Sequence, residues 1–227
     1  LLDEFDFDGI YTDGNAHVYA CKNEHHGCGY YDADGVHRPT YPIFATREYL
    51  KRIYRIVHQK RPERGFVVHH ISGSLFIPTI SFTNVHYSGE HEYYEDLDTF
   101  RVRWQGDNVG VWTVMLGSSR HVYTSLQTMY SLLHDVAIWV QGPSGRNDMQ
   151  RKFVNLWDRY GEFNTAASRW IPYYEGEKGV VVPGSSDVKV STYLHQGDRA
   201  LMVIGNLSDR PVEASVSIDL QRMDLKA

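Results

Sequence analysis

The spacing of apolar and polar residues changes character several times along the chain, and each change predicts an element. Residues 5–14 read as a strand ending at Asp13-Gly14. Residues 15–40 keep no sustained period but are dense in Gly, His, Asp and Tyr. A stretch of that length within a compact domain is usually functional or disordered, and its aromatic and cysteine content argues against disorder. From Pro42 to Lys60, Phe44, Leu50, Ile53, Tyr54 and Val57 recur at helical spacing until Arg61-Pro62 ends the pattern.

Further on, "GFVVHHISGS" is a β-branched run, "IPTISFTNVHYSGEHEYYE" reads as a second strand and "NVGVWTVML" as a third. Residues 124–135 look helical and "VAIWVQG" extended. The segment 149–170 reads as an amphipathic helix with Phe153, Leu156, Trp157 and Tyr160 on one stripe. Strand, crossover and strand again, with ionisable residues gathering just after the strands, is the rhythm of a parallel α/β sheet or barrel. After about Gly179, "VKVSTYLHQGDRALMVIGNLSDRPVEASVSIDL" alternates apolar and polar positions with turns at Gln196-Gly197-Asp198 and Ser208-Asp209-Arg210-Pro211, the pattern of antiparallel strands in a β-sandwich.

The expected fold is therefore α/β: the C-terminal part of a (β/α)8 TIM barrel over residues 1–178, then the start of a β-sandwich domain over 179–227. Five barrel-type strands are countable, and the chain opens on Leu1-Leu2-Asp3 without an initiator methionine. Both features lead to the expectation of a piece of a longer protein.

Composition narrows the function. At 227 residues the chain is long enough for one sizeable core. Its formal charge of -5 provides no long-range attraction for a phosphate backbone, so no nucleic-acid partner is expected. No run of about eighteen apolar residues occurs, so no membrane insertion is expected either. Many of the 16 tyrosines and 5 tryptophans sit beside Asn, Asp, Glu and His instead of within apolar runs. Such a mixture suits sugars, whose apolar ring face stacks on an aromatic while polar neighbours take the hydroxyls.

Strand alternation puts Gly9, Tyr11 and Asp13 on one face and Ile10 and Thr12 on the other. If Ile10 packs on a helical layer, Asp13 points to the carboxyl end of a barrel, where catalytic groups of that fold sit. Glu90 ends another strand in "NVHYSGEHE". Two carboxylates converging from different strand ends are what glycosidic hydrolysis needs. One protonates the departing oxygen, and the other attacks or stabilises the oxocarbenium-like centre. Asp13 is the expected nucleophile or stabiliser and Glu90 the expected general acid/base, and an Asp-Gly turn is the plain alternative for Asp13. Tyr11, His26, His70, His86, Tyr87, Trp104 and Trp112 are the candidates to hold the sugar.

"CKNEHHGCGYYD" contains the only two cysteines, Cys21 and Cys28, with His25 and His26 between them. The donor types suit zinc, although structural sites usually separate two ligand pairs. A disulfide and free thiols stay open beside zinc. No cofactor or metal is assigned to the hydrolytic site. A carbohydrate-binding barrel without chemistry, and a zinc-dependent hydrolase using the Cys/His loop, are the alternative functions.

The order of "GIYTDG", "CKNEHHGCGYYDADGVHRPTYPIFATREYLKRIY", "YSGEHE" and "GDRALMVIGNLSDRPVE" resembles bacterial glycoside hydrolases related to family 123 and its family-123-like relatives. The resemblance extends loosely over most of the chain. It implies a (β/α)8 catalytic domain, an extracellular or periplasmic location, and a complex glycan or oligosaccharide of β-linked or amino sugars as substrate. Characterised family 123 enzymes use adjacent Asp and Glu residues in a substrate-assisted reaction. Here Gly14 follows Asp13, so that dyad does not carry over, and the strand positions of Asp13 and Glu90 look instead like those in α-galactosidase-like barrels.

Overall fold

The computed structural model describes residues 2–14, 16–71, 76–88, 96–104, 110–116, 125–139, 159–163, 167–178, 180–181 and 185–225. It is a mixed α/β structure built on a five-stranded sheet with smaller antiparallel sheets. The sheet comprises β1 (Gly9–Asp13), β4 (Phe66–His70), β5 (Val85–Ser88), β6 (Trp112–Leu116) and β7 (Ala137–Trp139), hydrogen-bonded in that order. The β1–β4 and β4–β5 pairs are parallel, as the alternation of strands and crossovers predicts. The chain divides into two compact units, one comprising Leu1–His91 with Asp107–Val114, the other Glu92–Gly106 with Met115–Ala227.

In the first unit a short helix α1 (Leu2–Phe5) precedes β1. Helix α2 (Ile43–Lys60) forms where the periodicity predicts it, and it buries Leu50 and Val57. Val57 packs with Leu2 and Val67, and Ile10, Ile53 and Tyr54 close over them, so Ile10 does lie on the helix-covered face of β1. Phe44, expected on the buried stripe, is instead 78% exposed in the first turn of α2. Arg61 ends the helix and ties its guanidinium to the Leu2 and Phe7 carbonyls and the Asp6 carboxylate, fastening the entry to β1.

Two expectations are corrected in this unit. Residues 15–40 are not only a loop: Tyr30–Tyr31 (β2) pairs with His37–Arg38 (β3), and Cys21 and Thr40 form an antiparallel bridge. The run from Ile77 is not one strand, because Ile77–Ile80 forms a helical turn, α3, before β5 begins at Val85. Pro78 at the start of that turn suits a helix N-terminus and not a strand interior.

In the second unit α4 (Leu97–Trp104) contributes Leu97, Phe100 and Trp104 to a core with Met115, Tyr130, Leu133 and Val136. Helix α5 (Ser125–Leu133) matches expectation. The helix expected over 149–170 lies partly outside the described residues, and its end is corrected: Ser168–Ile171 is a strand, β8. After β8 come a 3₁₀ segment (Tyr173–Lys178), β9 (Val180–Val181), β10 (Val188–His195), β11 (Arg199–Asn206) and β12 (Ser217–Ile218), with β9 and β12 paired.

Strand β10 is the centre of an antiparallel β11-β10-β8 sheet, and the predicted turn at Gln196-Gly197-Asp198 joins β10 to β11 with Gly197 at φ +76°. Ser191, Thr192 and Tyr193 of β10 are all buried. Ser191 donates to the Leu133 carbonyl and Tyr193 to the Leu132 carbonyl, so the end of α5 satisfies groups that burial would otherwise leave unpaired.

Candidate functional site

Two rows of side chains cross the carboxyl ends of β1, β4 and β5 in the first unit. Parallel register aligns Asp13 with His70 and His70 with Tyr87, while Thr12 aligns with His69 and His69 with His86. Because alternate residues point to opposite faces, the two rows are back to back. The Thr12 row faces the helices. All three of its members are buried, and the Thr12 hydroxyl lies 2.6 Å from Nδ1 of His69. Burial pushes the His69 imidazole down to about 4, against a smaller opposing pull from the Phe82 backbone.

The Asp13 row lies on the other face. Nδ1 of His70 sits 2.8 Å from the Tyr11 hydroxyl and 3.3 Å from Oδ1 of Asp13. The His70 side chain is 6% exposed and that of Asp13 is 73% exposed, so a buried ring holds one edge of a carboxylate that opens to solvent. Tyr87 is buried against this pair, with its ring 5.1 Å from His70 and 5.9 Å, edge-on, from Tyr11. Tyr11 itself is half exposed. The group combines an exposed carboxylate, a hydrogen-bonding imidazole and two phenol rings, types of group that can bind a sugar hydroxyl or stack beside a pyranose.

Gly14, directly after Asp13, turns the chain at φ +69°, and a side chain there would approach the Tyr19 hydroxyl at 3.6 Å. Tyr19 packs edge-on against His17 at 4.6 Å. The Tyr19 hydroxyl thus lies beside the Asp13-Gly14 turn, a placement that strand periodicity does not signal.

The remaining predicted site residues divide. Tyr11, His70 and Tyr87 assemble around Asp13. His86 does not, since it is buried on the opposite face with Nε2 3.5 Å from the Ile71 carbonyl. Trp104 is corrected as a stacking residue: it is 1% exposed, inside the core of the second unit. Trp112 begins β6 and is 40% exposed. Glu90, the second member of the expected carboxylate pair, lies outside the described residues.

His26 belongs to a different cluster. It is exposed at the end of the 3₁₀ turn Glu24–His26, and its Nδ1 is 3.9 Å from Sγ of Cys21. One donor atom each from Cys21, His26 and Cys28 lie within 4.8 Å of one another, and neither cysteine is in a disulfide. The neighbouring Cys21 thiol, with a smaller contribution from burial, pushes the Cys28 thiol up.

No helix among the described residues is long and apolar enough to cross a membrane. Compared with models of known protein families, with curated proteins and with solved structures, the chain finds no match.

Proposed function

We propose that the protein is a glycoside hydrolase acting on an oligosaccharide or complex glycan, with Asp13 as nucleophile or oxocarbenium stabiliser and Glu90 as general acid/base. The observation that supports this reading is the open carboxylate of Asp13 at the carboxyl end of a parallel strand, braced by His70 and flanked by Tyr11 and Tyr87. A carboxylate with a neighbour on one side and open on the other is suited to approach an anomeric carbon, while the half-exposed Tyr11 ring offers the apolar wall a pyranose requires.

The reading includes a (β/α)8 barrel to which β1, β4, β5, β6 and β7 contribute, followed by a β-sandwich, and an extracellular or periplasmic location where such glycans occur. In that barrel Glu90 is the second carboxylate of the pair. A carboxyl separation of about 5–5.5 Å makes the reaction retaining, and one of roughly 6.5–9.5 Å makes it inverting.

The test is release of reducing ends from a panel of β-linked and amino-sugar oligosaccharides by the wild type, Asp13→Asn and Glu90→Gln. Each variant is expected to fold normally and to lose turnover by about a thousandfold or more. Near-normal turnover in either variant removes that carboxylate from the mechanism. Calorimetric binding of an oligosaccharide without any product over long incubation replaces the hydrolase with a binding protein.

A further inference from the structure

We propose that Cys21, His26 and Cys28, three donors among the described residues, form a zinc site that clips the loop following β1. The inference does not depend on the glycosidase reading.

In a tetrahedral site with Zn–S near 2.3 Å and Zn–N near 2.0–2.1 Å, donor atoms sit roughly 3.5–3.8 Å apart. Cys21 Sγ and His26 Nδ1 are 3.9 Å apart, and all three donors lie within 4.8 Å of one another. Closing around an ion thus takes side-chain shifts of about an ångström or less. Two thiolates and an imidazole are also the donors that a borderline-soft divalent ion prefers over hard, oxygen-seeking cations.

The backbone already holds the donors together. Cys21 and Thr40 exchange two backbone bonds of 2.9 Å, which anchors the first ligand on an antiparallel bridge. The Asn23 side chain accepts from the His25 N–H at 3.0 Å and starts the 3₁₀ turn that presents His26. Gly27 then takes a left-handed conformation at φ +67° and reverses the chain, and the Cys28 N–H returns to the Asn23 carbonyl at 3.2 Å. Finally, the Gly29 N–H donates to Thr40 Oγ1 at 2.9 Å, which ties the far side of the turn to the same bridge. A loop ordered in this way loses little further freedom on binding an ion. That compactness is also why eight residues suffice where structural zinc sites more often use two separated ligand pairs.

Binding exchanges protons for metal. Each thiol releases its proton to solvent, so one Zn²⁺ displaces two protons and forms two Zn–S bonds and one Zn–N bond, and the site with its thiolates is neutral overall. In the absence of metal the Cys28 S–H makes only a weak contact of 3.9 Å to the His26 carbonyl, which is readily given up.

The experiment uses the whole chain, purified under reducing conditions. It combines zinc content after dialysis, competition against a chromophoric chelator, and the absorption spectrum after Co²⁺ loading. Expected are one zinc per chain, a thiolate-to-cobalt charge-transfer band with the intense d–d bands of a tetrahedral centre, and release of two protons per ion. Cys21→Ser, His26→Ala and Cys28→Ser should each weaken binding at least tenfold. Far-UV circular dichroism of the metal-free variants checks folding independently, since the substituted side chains are exposed or only half-buried. Thiols that titrate freely under excess zinc, an octahedral cobalt spectrum, or a His26→Ala variant that binds as tightly as the wild type would each overturn the proposal. So would a chain that joins Cys21 to Cys28 in a disulfide and takes up no zinc once reduced.

Discussion

Asp13 and His70 stand abreast on adjacent parallel strands, and Oδ1 of the one lies 3.3 Å from Nδ1 of the other. The Tyr11 hydroxyl reaches the same nitrogen at 2.8 Å. A single buried ring atom therefore lies within reach of two groups on β1, a half-exposed phenol and an exposed carboxylate. Tyr11→Phe removes one of the two partners without altering the apolar contacts.

The Tyr11–His70 bond should be measurable as a coupling. In a double-mutant cycle of Tyr11→Phe and His70→Phe followed by urea unfolding, an interaction energy of about 0.5–1.5 kcal/mol is expected. Strict additivity would show that the hydroxyl and the imidazole do not hold each other in solution.

On the opposite face, Thr12→Val should be more harmful than its nearly conserved shape suggests. The substitution takes away the hydroxyl 2.6 Å from Nδ1 of His69 and leaves a buried polar atom without that partner, at a cost of about 1–3 kcal/mol. Thr12→Ser, which keeps the hydroxyl, should recover much of the loss. An unchanged denaturation midpoint for Thr12→Val contradicts the contact.

Stability should fall on mild acidification. Burial holds both His69 and His134 at about 4, against an ordinary value of 6.5, so both are neutral in the folded chain at pH 6. His134 donates from Nδ1 to the Tyr130 carbonyl, which fixes its neutral tautomer. Between pH 6.5 and 4 the unfolded chain binds protons that the folded chain refuses, so unfolding is favoured as pH falls through that window. Each histidine contributes at most on the order of 3 kcal/mol to the loss, and its contribution levels off below about pH 4. Urea midpoints at closely spaced pH values should be flat near pH 7 and decline below about 6.5; a constant or rising midpoint down to pH 4 excludes buried, neutral histidines.

Gly9→Ala should be poorly tolerated although Gly9 begins an ordinary strand. A Cβ there would run into the Phe66 carbonyl of the adjacent strand, and that backbone atom cannot move without breaking the β1–β4 register. A destabilisation of about 2 kcal/mol or more is expected in thermal or urea unfolding. Because the register also aligns Asp13 with His70, the substitution should lower any activity that depends on that pair.

Local patterning alone determined much of the frame. The apolar spacing from Ile43 to Lys60, the β-branched run before His69 and His70, and the turn at Gln196-Gly197-Asp198 each specify an element, because helical and extended backbones impose different side-chain periods and Gly197 accepts a positive φ. The place of Asp13 at the end of a strand, on the face opposite Ile10, follows from the same alternation. What local pattern could not supply was the choice among long-range partners. Two adjacent histidines must point to opposite faces, but only the packing of α2 and the register with β1 decide that His70 joins Asp13 and His69 joins Thr12. Likewise Trp104 and Ser191, which composition and alternation turn toward ligand or water, are enclosed because residues distant in sequence pack over them or accept their hydrogen bonds. Element type is set by dihedral preferences within a few residues, whereas register and burial depend on contacts made only once the intervening chain has closed.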